Sequence, residues 1–121
     1  MPRYLKQGDG WRLGWDPDAP VFTGLVGSDR WSLELTQKEL ADFCRLAPEL
    51  ASTMASMAAE LMPEERLCCE LESEQVWLEA EGFAHRYELH LIVRTGRRGE
   101  GYWPPEAVPE LVAAAQMLGL F

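Results

Sequence analysis

The sequence predicts an α+β fold: two units, each a run of antiparallel strands followed by a helix, joined in one domain of 121 residues. Three observations carry this prediction. Short runs near the start and the middle of the chain alternate apolar with polar residues, the period of a half-buried strand. A helix-start signal at Thr36 opens a long apolar stripe with steps of three and four residues. The same order of elements then returns, so one pseudo-repeat runs from residue 1 to about 62 and the next from about 63 to 121.

In WRLGW, Trp11, Leu13 and Trp15 alternate with Arg12 and Gly14, which reads as a strand. DPDAP (16–20) is a turn by composition, and VFTGLVG (21–27) reads as a second strand. SDR (28–30) turns tightly into WSLELT (31–36), with Trp31, Leu33 and Leu35 on one face. This alternation puts Trp11, Trp15 and Trp31 in the core. Thr36 with Glu39 three residues on has the spacing of a capping box. Leu40, Phe43, Ala47, Leu50, Met54, Met57 and Leu61 then form an apolar stripe that Cys44, Ala51 and Ala58 broaden. Pro48 lacks an N–H and crowds the preceding turn, so it should kink this helix or start a second one. MPEE (62–65) ends it.

The second unit reads as strands RLCCELES (66–73), VWLEAEGF (76–83) and RYELHLIVR (86–94). TGRRGEG (95–101) is a glycine-rich hairpin loop before a short strand through Tyr102 and Trp103. Pro105 suits the first turn of the closing helix. Val108, Leu111, Val112, Ala115 and Leu118 form its apolar face, and Gly119 stops it.

Composition narrows the function classes. Hydrophobic residues are 47% and charged residues 26% of the chain, a globular balance that argues against disorder. No apolar run approaches a membrane span, and MPRYLKQGDG lacks the apolar region of a secretory signal, so a soluble, cytoplasmic protein is expected. The net charge is -9, from 11 basic and 20 acidic residues. Nucleic acid is disfavoured unless a local basic patch overcomes that background. Cys44, Cys68 and Cys69 are odd in number and irregular in spacing, which reads as free thiols.

GWRLGWDP, LVGSDRWSLELT and EGFAHRYELHLIVRTGRRGEGYWPP, in that order, resemble a small cyanobacterial family of uncharacterised proteins across essentially the whole chain. That family is similar in fold to the single-stranded-DNA-binding transcriptional regulators that include the plant Whirly proteins. The resemblance implies paired β4-α units. The Lys-Gly-Lys-Ala-Ala-Leu stretch with which Whirly proteins bind DNA has no counterpart here, so no functional residue is carried over.

Strand alternation sends Cys69 to the face of Leu67 and Leu71, and Cys68 to that of Glu70 and Glu72. The adjacent thiols are therefore not expected to chelate one ion, and no metal or cofactor is expected. If 66–73, 76–83 and 86–94 pair as hairpins, Glu70, Glu72, Trp77, Glu79, Glu81 and Glu88 share one sheet face with His90. The simplest register sets Glu70 against Glu79 and Glu81 against Glu88, pairs that destabilise a sheet. Such a face is either a solvated surface, or a docking surface for a basic partner or a weak divalent-cation site. Arg94, Arg97 and Arg98, with Tyr102 beside them, form the dense basic cluster of the chain. That cluster is either a soluble loop or an anion or nucleic-acid site with Tyr102 as stacking surface. No catalytic constellation appears, so a non-enzymatic protein-interaction or regulatory module is expected. Single-stranded nucleic-acid binding through the arginine loop is the alternative.

Overall fold

The computed structural model describes residues 3–119. Strands β1 (Tyr4–Gly8), β2 (Trp11–Trp15), β3 (Gly24–Gly27) and β4 (Ser32–Leu35) precede helix α1 (Gln37–Met57). Strands β5 (Arg66–Glu72), β6 (Val76–Phe83), β7 (Arg86–Val93) and β8 (Glu100–Trp103) precede helix α2 (Val108–Leu118). Each set of strands forms its own four-stranded antiparallel sheet in chain order, so the expected α+β architecture is present. No helix among the described residues is long and apolar enough to cross a membrane.

The first sheet contains a strand that hydrophobic alternation does not reveal. β1 pairs with β2 from Tyr4–Trp15 to Gly8–Trp11. YLKQG is almost wholly exposed, because an edge strand is held by its backbone ladder and needs no apolar face. The cue was the turn Asp9-Gly10, where Gly10 takes a φ of 83° that favours glycine. β3 is also shorter than the VFTGLVG run, since residues 21–23 lie outside it.

Helix α1 begins as its sequence requires. The Thr36 hydroxyl accepts the Glu39 N–H at 3.2 Å, and the Thr36 N–H donates to the Glu39 carboxylate at 2.9 Å. Pro48 neither ends nor divides the helix. Buried Cys44 and Ala47 before it, and Leu50 and Met54 after it, hold both halves in the core, where the helix packs on β5 and β6. Tertiary packing thus overrides the local penalty. Leu61, expected on the stripe, falls beyond the last turn, while Leu46 is buried. At α2, Pro109 rather than Pro105 occupies the first turn, because 104–107 form a separate turn before it.

The two sheets meet where the turn between β3 and β4 approaches β8. The Trp31 indole donates to the Tyr102 carbonyl at 2.9 Å, and the Trp103 indole donates to the Gly27 carbonyl at 2.7 Å. Trp103 is fully buried, 4.8 Å from Trp31 and 5.6 Å from Phe43 between ring centroids. Trp31 lies so close to β8 that a Cβ on Gly101 would come within 2.3 Å of its ring. Of the tryptophans expected in the core, Trp11 is buried, while Trp15 and Trp31 are half-buried because they lie at the margins where sheet meets helix or sheet.

Glu39 ties the two units together. Its side chain is 1% exposed, yet it accepts from Thr36, from the Thr95 hydroxyl and from the Arg97 guanidinium. Burial pushes its carboxyl up, but Thr95, the Thr36 amide and Arg97 together outweigh burial and hold it below the ordinary 4.5. A carboxyl lowered in this way stabilises the fold fully above its unfolded value, and that stability is lost as pH falls through the lower folded value. Glu39→Ala should cost about 2–4 kcal/mol at neutral pH, since it removes a cap and leaves Arg97 without its acceptor. Glu39→Gln should flatten the loss of stability below pH 4.5. Urea unfolding as a function of pH checks both, and parallel pH profiles for wild type and Glu39→Gln would refute the assignment. Gly101→Ala should cost on the order of 1–3 kcal/mol by forcing Trp31 off β8, read as a lower urea midpoint.

Candidate docking face

α1 packs on one face of the second sheet, and the opposite face carries the acidic residues singled out in the sequence. Its side chains form rows across the strands. Glu72, Trp77, Ile92 and Glu100 make one row; Glu70, Glu79, His90 and Tyr102 make the next; Cys68, Glu81 and Glu88 make a third. Glu70, Glu72, Trp77, Glu79, Glu81 and Glu88 therefore do share one face, and Glu70 opposes Glu79 as Glu81 opposes Glu88. A carboxylate pair set directly across a ladder is unfavourable.

Few cations offset this charge. Arg66 pairs with Glu81 at 3.3 Å and Arg94 with Glu72 at 3.1 Å, both at the surface, where such pairs contribute about 0–1 kcal/mol. Arg86 turns away from the face to Glu106 beside α2. Among the described residues no basic side chain pairs with Glu70, Glu79 or Glu88.

Among the carboxylates sits an aromatic cluster. His90 is 8% exposed, stacked on the Tyr102 ring at 3.9 Å with planes 14° apart, and met edge-on by Trp77 at 5.2 Å. Its Nε2 lies 2.9 Å from Glu100 Oε2. Glu79 is its cross-strand neighbour, but the ion-pair partner is Glu100. Trp77 is half-buried, covered by this stack. Tyr102 remains 51% exposed. Its hydroxyl is pushed up by partial burial, then by the charges of Glu100, Glu88, Glu79 and Glu81, so the ring sits in a negative field.

The arginine cluster is dispersed by the fold. Arg97 binds Glu39, donates to the Glu34 carbonyl at 2.6 Å and lies over the Phe22 ring at 4.6 Å. Arg94 donates to Glu72 and to the Ser73 carbonyl at 2.8 Å. Arg98 sits at the loop tip with φ 51°. Tyr102 points to the acidic face, because β8 pairs it with His90 and not with the loop. No sequence spacing could show that Arg97 meets Glu39, which lies 58 positions away.

The thiols separate as alternation requires. Cys44 is buried and its thiol is pushed up to about 12 by that burial. Cys69 is half-buried, and Cys68 is exposed on the acidic face. The Cys68 thiol donates to Glu79 Oε2 at 3.1 Å. Cys68, Glu79 and Glu81 place ligand atoms within 4.8 Å of one another; a weak cation site on this face was legible in the glutamates, but Cys68 joins it only through its cross-strand neighbours. It falls short of the four ligands of a closed zinc site. Its thiol is also kept protonated, with a pKa pushed up to about 11 by the bond to Glu79, then burial, then the neighbouring charges.

The family model for a domain of unknown function, DUF1818, matches residues 6–118. Among solved structures, a protein of unknown function from Prochlorococcus sp. NATL2A, described as from the DUF155 family, superposes with a TM-score of 0.90 at 27% identity, covering 96% of this chain and 98% of that one. No curated protein matches the chain.

The raised Cys68 pKa predicts slow chemistry at an exposed thiol. At pH 8, alkylation by iodoacetamide should run roughly a hundredfold slower than at a thiol titrating near 9. Glu79→Gln should speed it on the order of tenfold. Site-resolved mass spectrometry follows the reaction, and a Cys68 as fast as a free thiol would contradict the Glu79 contact.

Proposed function

The chain belongs to the DUF1818 family, a domain of unknown function, and we propose that it is a non-enzymatic interaction module that docks a basic segment of a protein partner on the acidic face of its second sheet. One observation carries the reading: an aromatic cluster of Trp77, His90 and Tyr102 set among carboxylates of which Glu70, Glu79 and Glu88 have no basic partner among the described residues. A surface kept only for solubility has no need of opposed glutamates, which weaken the sheet that bears them. A sheet face that binds cations uses that unpaired charge to steer and hold its partner. Aromatic rings among the charges add apolar contact and cation–π attraction.

Single-stranded nucleic acid is the reading with less support. Of the candidate residues Arg94, Arg97, Arg98 and Tyr102, the first two are engaged within the protein and Tyr102 faces carboxylates. Among the candidate arginines of this loop, that leaves phosphate Arg98, on an acidic protein.

The two properties of the face predict opposite responses to one substitution. Glu79→Lys relieves the Glu70–Glu79 pair and should raise the melting temperature slightly, while binding of a lysine- and arginine-rich peptide falls at least tenfold. Peptide binding to the wild type should weaken steeply with added salt. Fluorescence anisotropy with the labelled peptide, with a labelled single-stranded oligonucleotide at low salt as a second arm, decides the matter. Binding of the oligonucleotide in place of the peptide would sink the proposal.

A further inference from the structure

Beside Tyr102 the seam between the sheets opens into a cleft of about 630 Å³, a volume within the range of ligand sites. Trp31 and Gly101 line it together with Tyr102, Glu88, Glu100, Asp29 and Arg30. We propose that this cleft receives one arginine side chain of the docked segment, with its guanidinium on the open face of Tyr102 and against Glu88 and Glu100. The inference rests on the basic-segment reading and adds to it a position where arginine is read.

The geometry of Tyr102 carries the argument. His90 lies parallel to it at 3.9 Å, so one ring face is covered. The residue is nevertheless 51% exposed and lines the cleft, so the ring face away from His90 is the one open to a ligand. A π-face in a negative field attracts a planar, weakly hydrated cation. Glu100 holds His90 through Oε2, which leaves its other oxygen to accept from a ligand. Glu88 faces Glu81 across the ladder and, among the described residues, forms no ion pair with a basic side chain. Asp29 and Arg30, at the same cleft, offset each other, so the carboxylates of Glu88 and Glu100 set the sign of the site. Trp31 supplies an apolar wall for a methylene stem, placed there because glycine at 101 lets it sit flat on β8. Lysine would gain the charge attraction, but it lacks the planar fork that stacks on tyrosine and bridges two carboxylates.

The test uses one basic peptide carrying lysine, arginine or citrulline at a single position, titrated into wild type and into Tyr102→Phe, Tyr102→Ala and Glu88→Gln. The arginine peptide should bind about fivefold more tightly than the lysine peptide, and citrulline should lose that gain. Tyr102→Phe should retain the arginine preference. Tyr102→Ala should abolish it while leaving lysine-peptide binding in place, and Glu88→Gln, an exposed change, should reduce it. Equal binding of the arginine and lysine peptides to wild type, unchanged in Tyr102→Ala, would overturn the arginine site and leave the acidic face standing. Absence of binding by all the peptides would overturn both.

Discussion

The buried carboxylate of Glu39 is the constraint on which the rest of the structure hangs. It begins as a local device, the third helical residue that closes a capping box, where its carboxylate takes the Thr36 amide. In this fold the same carboxylate also takes the Thr95 hydroxyl and the Arg97 guanidinium from the loop between β7 and β8. A buried charge is tolerated only when it is paired and hydrogen-bonded. The first unit therefore requires the loop of the second, and that requirement sets where β8 emerges.

The position of β8 decides both the seam and the face. With its loop anchored, β8 meets the turn between β3 and β4, Trp103 enters the core and Trp31 closes over Gly101. Alternation along a strand of 4 residues then turns Tyr102 outward, onto His90. The arginines are spent in reaching this arrangement: Arg97 neutralises Glu39, and Arg94 closes the edge of the sheet on Glu72 and Ser73. What remains at the surface is an excess of carboxylate around aromatic rings. The acidic face and the disarmed loop are two results of one ion pair.

Much of the fold was legible along the chain. Alternation over 66–73, 76–83 and 86–94 gave the right strands and the right opposed glutamates, because period two admits one register once the apolar face is buried. The capping box marked the start of α1 to the residue. Elements held by the backbone or by distant packing were not legible. β1 has no apolar face to display, Pro48 lies in a helix pinned on both sides by the core, and Pro105 belongs to a turn that only the docking of α2 defines. Of the candidate residues, those on the acidic face were found together because they are neighbours in a ladder. The arginines, neighbours in the chain, take separate partners in space, which no spacing in the sequence shows.

By itself, then, the sequence determined the strands other than β1, the helix start, the inward and outward faces of the second sheet and the crowding of glutamates on one of them. These follow from short-range periodicity and capping, whose physics acts within a few residues. Only the tertiary structure decided that Glu39 captures Arg97, that Tyr102 joins the acidic face and that Cys68 meets Glu79. Each of these is a contact between residues far apart in the chain, set by how charges and rings find partners when water is excluded, and no local pattern records that choice.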